Sequence, residues 1–141
     1  MSSPTTPPAP ARPGPGRAPR FFGLMKATTA FLATSLLVQG ITAGQLMSSA
    51  DGKSLHHATG PLVTAALVLQ TLAAVLVWRA DRRTVRYLVV TLVLLVLTSV
   101  QFVAGGNGDV ALHVPLGVAL FGAGAVLMTQ VWTARPARAA D

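Results

Sequence analysis

Four apolar runs, each close to the length needed to cross a bilayer, limit what this chain can become. They fall at about residues 24–47, 57–78, 87–105 and 110–132. A hydrocarbon core of about 30 Å takes roughly 20 residues of helix. Backbone placed in lipid must also satisfy its hydrogen bonds internally. The chain is therefore read as an all-α membrane protein with one transmembrane domain over residues 21–134, in contact with the lipid bilayer. Residues 1–20 hold seven of the ten prolines with Arg12, Arg17 and Arg20, a composition that cannot bury enough apolar surface to order itself. They are read as a cytoplasmic tail, and residues 135–141 as a second one. The first run has a rival reading as a secretory signal, with Ser48-Ser49-Ala50 as its cleavage site. Its apolar length exceeds the 7–15 residues usual for a signal, and it shares a motif with the third run, so it is read as a mature helix.

The formal charge of +7 invites a nucleic-acid reading, which the placement of the charges rules against. Ten of the eleven Lys and Arg residues lie in the tails, at the start of the first run, or in the loop Arg79, Arg82, Arg83 and Arg86; Lys53 alone lies on the other side. The positive-inside rule then sets both termini in the cytoplasm and the protein in the cytoplasmic membrane. Trp78 and Trp132 close the second and fourth runs as interfacial anchors. With no cysteine, disulfides, iron–sulfur clusters and thiolate metal sites are excluded. No nucleophile–base pair, phosphate loop or carboxylate pair is visible, so no catalytic residue is assigned.

Two motifs recur. Gln39-Gly40-Ile41-Thr42-Ala43-Gly44 is echoed by Gln101-Phe102-Val103-Ala104-Gly105-Gly106, and Leu55-His56-His57-Ala58-Thr59-Gly60 by Leu112-His113-Val114-Pro115-Leu116-Gly117. Each Gln motif precedes an outer turn, and each His motif opens the next apolar run. Pro61 and Pro115 fall in the first turns of those runs, where a missing amide donor is tolerated. The expected architecture is an up-down-up-down bundle of two helical-hairpin repeats related by an axis along the membrane normal. Such an axis makes spans two and four diagonal partners, so His56 and His113 oppose each other near the outer face.

Two opposed imidazoles suit axial ligation of a b-type haem. Gly60 and Gly117, one turn from each His on the same face, leave room for a flat macrocycle. Lys53 is placed to meet the propionates, and Gln39 or Gln101 to steady a ligand or a propionate. Glutamine and glycine in membrane helices also serve plainly as interhelical packing groups, and that reading stays open for both Gln residues. His57, one position out of register with His113, is the alternative iron ligand. Two or three His without Cys or Glu leave a zinc or copper shell short. A transporter would use a polar, unwound midplane that these runs lack.

On those four motifs the chain resembles one half of a haem A synthase, over about residues 24–132. The resemblance implies a four-helix scaffold with haem held by a His on the second and fourth helices near the outer face. It also marks departures. There is one bundle rather than two. The glutamate expected shortly before the first His is missing, the turn offering Asp51, Lys53 and Ser54, and no outer cysteine pair exists. The scaffold and haem are therefore expected without the methyl-oxidising chemistry. The role that follows is electron transfer or haem handling, alone, as a homodimer, or within a larger respiratory or haem-handling complex. Ala119, Ala123 and Gly124 offer a packing surface for a second copy or for the bundle itself. The alternative is a haem-free structural or accessory subunit.

Overall fold

The computed structural model describes residues 20–48 and 52–134. Beyond Arg20, the two tails lie outside the described residues, as do Asp51 and the cleavage site after Ser48. The described chain is four helices: α1 (Phe22–Ser48), α2 (Gly52–Ala80), α3 (Val85–Gly106) and α4 (Val110–Thr133), with a short 3-10 turn at Arg82–Thr84. The shortest has 22 residues, about 33 Å at the α-helical rise. All four are long and apolar enough to cross a membrane.

Helix contacts run α1–α2, α2–α3, α3–α4 and α4–α1. The four therefore close a ring in which α2 and α4 are not neighbours. Met25, Leu32, Leu67, Val77, Leu94, Leu120, Leu127 and Val131 fill its centre. Small residues let the helices approach: Ala66, Ala73 and Ala74 of α2 are buried. A side chain on Gly124 would begin 2.7 Å from Leu36 Cδ1, which assigns that glycine to packing within the bundle. Ala119 and Ala123 face outward. So do Val96, Val103, Val118 and Val126, an apolar exterior that suits lipid and not water.

The connections follow from local chemistry. Asp81 accepts a hydrogen bond from Arg83 N at 3.0 Å, and Asp109 caps α4 by accepting from Leu112 N at 3.1 Å. Gly108, at φ +75°, supplies the left-handed residue between α3 and α4. At the arginine end, Arg82 lies 4.1 Å over the Trp78 ring, and Trp132 Nε1 donates to the Lys26 carbonyl at 3.1 Å.

Two expectations need revision. Helix α2 begins at Gly52, five residues before the expected start of its span. A Cβ on Gly52 would collide with the backbone of Gln45 and Leu46, so the glycine lets α2 start directly against the end of α1. His56 thus sits on helix rather than at its mouth. Pro61 and Pro115 are inside α2 and α4. The i+4 amides that would close turns onto the His57 and Ala111 carbonyls are missing.

Candidate functional site

At the histidine end, each glutamine meets the histidine of its matched motif. Gln101 of α3 donates from Nε2 to the His113 carbonyl of α4 at 2.8 Å. The His113 ring returns the contact, its Nδ1 lying 2.9 Å from the Gln101 carbonyl oxygen. A carbonyl only accepts, so the ring proton is on Nδ1 and the lone pair on Nε2. Two glycines make this possible. A Cβ on Gly105 would sit 2.6 Å from His113 Cε1, and one on Gly117 would sit 2.9 Å from Gln101 Nε2. Gly105 exposes the carbonyl that the imidazole needs. Gln101 Oε1 is buried without a hydrogen-bond partner.

His56 is held differently. Gln39 Nε2 lies 3.2 Å from the His56 carbonyl and 3.3 Å from His56 Nε2. Thr59 Oγ1 donates to Gln39 Oε1 at 2.6 Å, which fixes the amide with its nitrogen toward the imidazole. An amide N–H must donate, so His56 Nε2 accepts, and Nδ1–H donates to Thr42 Oγ1 at 3.2 Å. Both rings therefore carry the same tautomer, with the lone pair on Nε2.

Sequence reasoning passed over Thr42 and Thr59. The available signal was spacing: Thr42 follows Gln39 by three residues and Thr59 follows His56 by three, one turn along the same face in each case. It also passed over Gln70, which is fully buried and bridges three helices. Its Oε1 accepts from Thr28 at 2.6 Å and its Nε2 donates to Thr91 at 3.4 Å.

The His56 and His113 ring centroids are 6.0 Å apart, with planes at 80°. Both rings are half-buried and line a cavity of about 960 Å³ to which all four helices contribute. That volume is at the upper end of what a small-molecule site needs. His57 is exposed, its ring 6.4 Å from His56. Lys53 is exposed at the lining of the same cavity. Gly60 and Gly117 line the cavity as well, each with a close neighbour. Gly60 is buried, with Phe102 Cε1 only 3.3 Å from where its Cβ would lie. The place beside Gly117 is taken by the Gln101 amide. Open surface next to each His is supplied by the cavity between the helices, whose lining includes both glycines.

Among the described residues no three His, Cys, Asp or Glu side chains converge. The donor set is two imidazoles beside an apolar cavity, each with its lone pair on Nε2: free of hydrogen bonds in His113 and engaged by the Gln39 amide in His56. Two imidazole nitrogens at about 2.0 Å from one metal set the ring centroids roughly 6 Å apart, and that spacing is present. The residues fit a group bringing its own equatorial ligands. Set beside protein-family models, curated proteins and solved structures, the chain matches none, so this geometry carries the functional reading.

Proposed function

We propose that the chain is a haem-carrying protein of the cytoplasmic membrane, serving electron transfer or haem handling. In this reading the bundle runs up-down-up-down as two parallel hairpin repeats, with both termini cytoplasmic and one haem b toward the outer face. His56 and His113 would hold its iron. Gln39 and Gln101 orient them through their backbone carbonyls, Gly105 and Gly117 admit those contacts, and Lys53 meets a propionate. When bound, the haem supplies one-electron chemistry or is itself the cargo.

The observation that carries the reading is the 6.0 Å spacing of two half-buried imidazoles from non-adjacent helices across one cavity. An Nδ1–H bonded to a backbone carbonyl, as in His113, is also the usual support of a metal-binding imidazole. The resemblance to half of a haem A synthase points the same way for scaffold and haem. The missing glutamate and cysteines argue against its oxidation chemistry. One haem in the outer half does not carry electrons across the bilayer, so a redox partner or a second copy belongs to the proposal.

The second reading is a haem-free structural or accessory subunit. It is favoured by one observation: both ring nitrogens of His56 already have partners. An absorption spectrum of the detergent-purified protein, oxidised and dithionite-reduced, separates the two. The haem reading expects a sharp low-spin b-type spectrum that His56→Ala makes high-spin and His113→Ala abolishes or reduces. A wild type that stays colourless after haem supplementation leaves the accessory subunit.

A further inference from the structure

His56 and His113 both line the cavity and carry the lone pair on the same nitrogen, Nε2, yet only one of them has it free. The Nδ1–H of His113 is engaged by the Gln101 carbonyl, and its Nε2 has no hydrogen-bond partner among the described residues. The Nε2 of His56 receives the Gln39 amide N–H at 3.3 Å, and Thr59 holds that amide in place at 2.6 Å. This N–H enters the same lone pair that a metal would take. His113 can ligate without disturbing any hydrogen bond, whereas His56 must first displace Gln39. The supports differ as well. The Gln101 carbonyl is part of a helix backbone, while the acceptor for His56 is a hydroxyl that also lies 3.1 Å from the Gln39 carbonyl and 3.2 Å from Thr59 Oγ1.

Building on the haem reading of this site, we propose that His113 is the fixed axial ligand and His56 an exchangeable one. The Nε2 of His56 passes between the iron and the Gln39 amide, which opens the iron on that side to a small neutral diatomic molecule. One iron–imidazole bond breaks and one iron–ligand bond forms, both pairs of electrons coming from the ligands. The released imidazole lone pair takes up the Gln39 N–H. No electron or proton is transferred. Gln39 acts here as a positioning residue: it stabilises the dissociated His56 and so tunes how readily the site exchanges.

The test is a carbon monoxide titration of the reduced, haem-loaded full chain, followed by absorption. Wild type is expected to convert from a low-spin spectrum to that of a carbonyl adduct. Gln39→Met removes the competing N–H and should weaken carbon monoxide binding roughly tenfold, the effect of about one hydrogen bond. Thr59→Val, close in shape to threonine, releases the amide and should shift binding in the same direction by less. It serves as the measurement if Gln39→Met does not fold. His56→Ala should retain haem and bind carbon monoxide more tightly than wild type, and His113→Ala should lose haem. The proposal is overturned by a low-spin wild type that takes up no carbon monoxide, or by unchanged binding in the folded Gln39 and Thr59 variants. Haem retained in His113→Ala but lost in His56→Ala overturns it too. A wild type that binds no haem removes the haem reading itself, an outcome the spectrum shows before any carbon monoxide is added.

Discussion

On the α1–α2 side of the bundle, His56 is held by side chains: the Gln39 amide, the Thr42 hydroxyl and, behind the amide, the Thr59 hydroxyl. On the α3–α4 side, His113 is held by backbone, through the Gln101 carbonyl uncovered at Gly105. Position by position the halves diverge in one direction. Where the first has Thr42, Thr59 and Gln70, the second has Ala104, Leu116 and Leu127; where the second has Gly105, the first has Ala43. At Gly105 a Cβ would sit 2.6 Å from His113 Cε1, so that ring's pose requires the glycine. There the imidazole bonds the Gln101 carbonyl, whereas in the half with Ala43 the His56 imidazole bonds the Thr42 hydroxyl. The shared feature, a glutamine N–H to the histidine carbonyl, is kept on both sides. The lesson is that matched histidines in the two halves are held by different means, one by backbone and one by a hydroxyl.

The comparison can be broken most strongly at Gly105. Gly105→Val places a side chain where the His113 ring lies, and overpacking of this kind costs about 1–3 kcal/mol. Unfolding in mixed detergent should show that loss, with His113 displaced and haem retention falling, while Ala43→Gly in the other half changes stability by under about 1 kcal/mol. Equal effects at the two positions would mean the halves hold their histidines alike. Next comes Thr59→Val, which leaves Gln39 Oε1 as unpartnered as Gln101 Oε1. A buried acceptor without a donor costs about 1–3 kcal/mol, and the lower half of that range is expected because Thr59 is only partly buried. Stability indistinguishable from wild type would show that Thr59 does not orient Gln39.

Gln70→Leu makes the first half resemble the second, which has Leu127 there. The expected loss is about 0.6 kcal/mol, typical of a polar contact between membrane helices. It is small because Thr28 and Thr91 each retain a backbone acceptor, the Met25 and Tyr87 carbonyls at 3.2 and 2.8 Å. A loss of several kcal/mol would show that the three-helix bridge is indispensable. The smallest effect belongs to Leu116→Thr, which supplies the Gln101 oxygen with the donor that Gln39 already has. Stability should stay within about 1 kcal/mol of wild type, one gained hydrogen bond offsetting lost apolar contact. A downfield shift of the introduced hydroxyl proton would report the bond, and its absence would place that oxygen out of reach.

Much of this was legible in the chain. Four runs of lipid-compatible length give four helices because no other structure satisfies backbone groups in hydrocarbon except a closed barrel. The histidines, Gln39 and Gln101 stood out because they recur in matched motifs, whereas Gln70, outside those motifs, did not. The threonines did not stand out, and for a physical reason. A threonine in a membrane helix most often bonds its own preceding turn, as Thr71 does to the Leu67 carbonyl and Thr129 to the Ala125 carbonyl. Only spacing sets Thr42 and Thr59 apart, each three residues after a motif Gln or His, and their hydroxyls reach another helix. Periodicity places Gly60 and Gly117 on the histidine face, where both line the cavity, without saying which neighbour fills the space beside them. Phe102 and Gln101 fill it.

The hydrogen bond from Trp132 to the Lys26 carbonyl, at 3.1 Å, joins the last turn of the last helix to the first turns of the first. Helix contacts close into a ring, and this bond falls at the one junction that no loop spans. The order in which the four helices are linked is therefore not what holds them together. A circular permutant that starts at α3, ends with α2 and connects α4 to α1 by a short linker inherits every interhelical contact of the original chain.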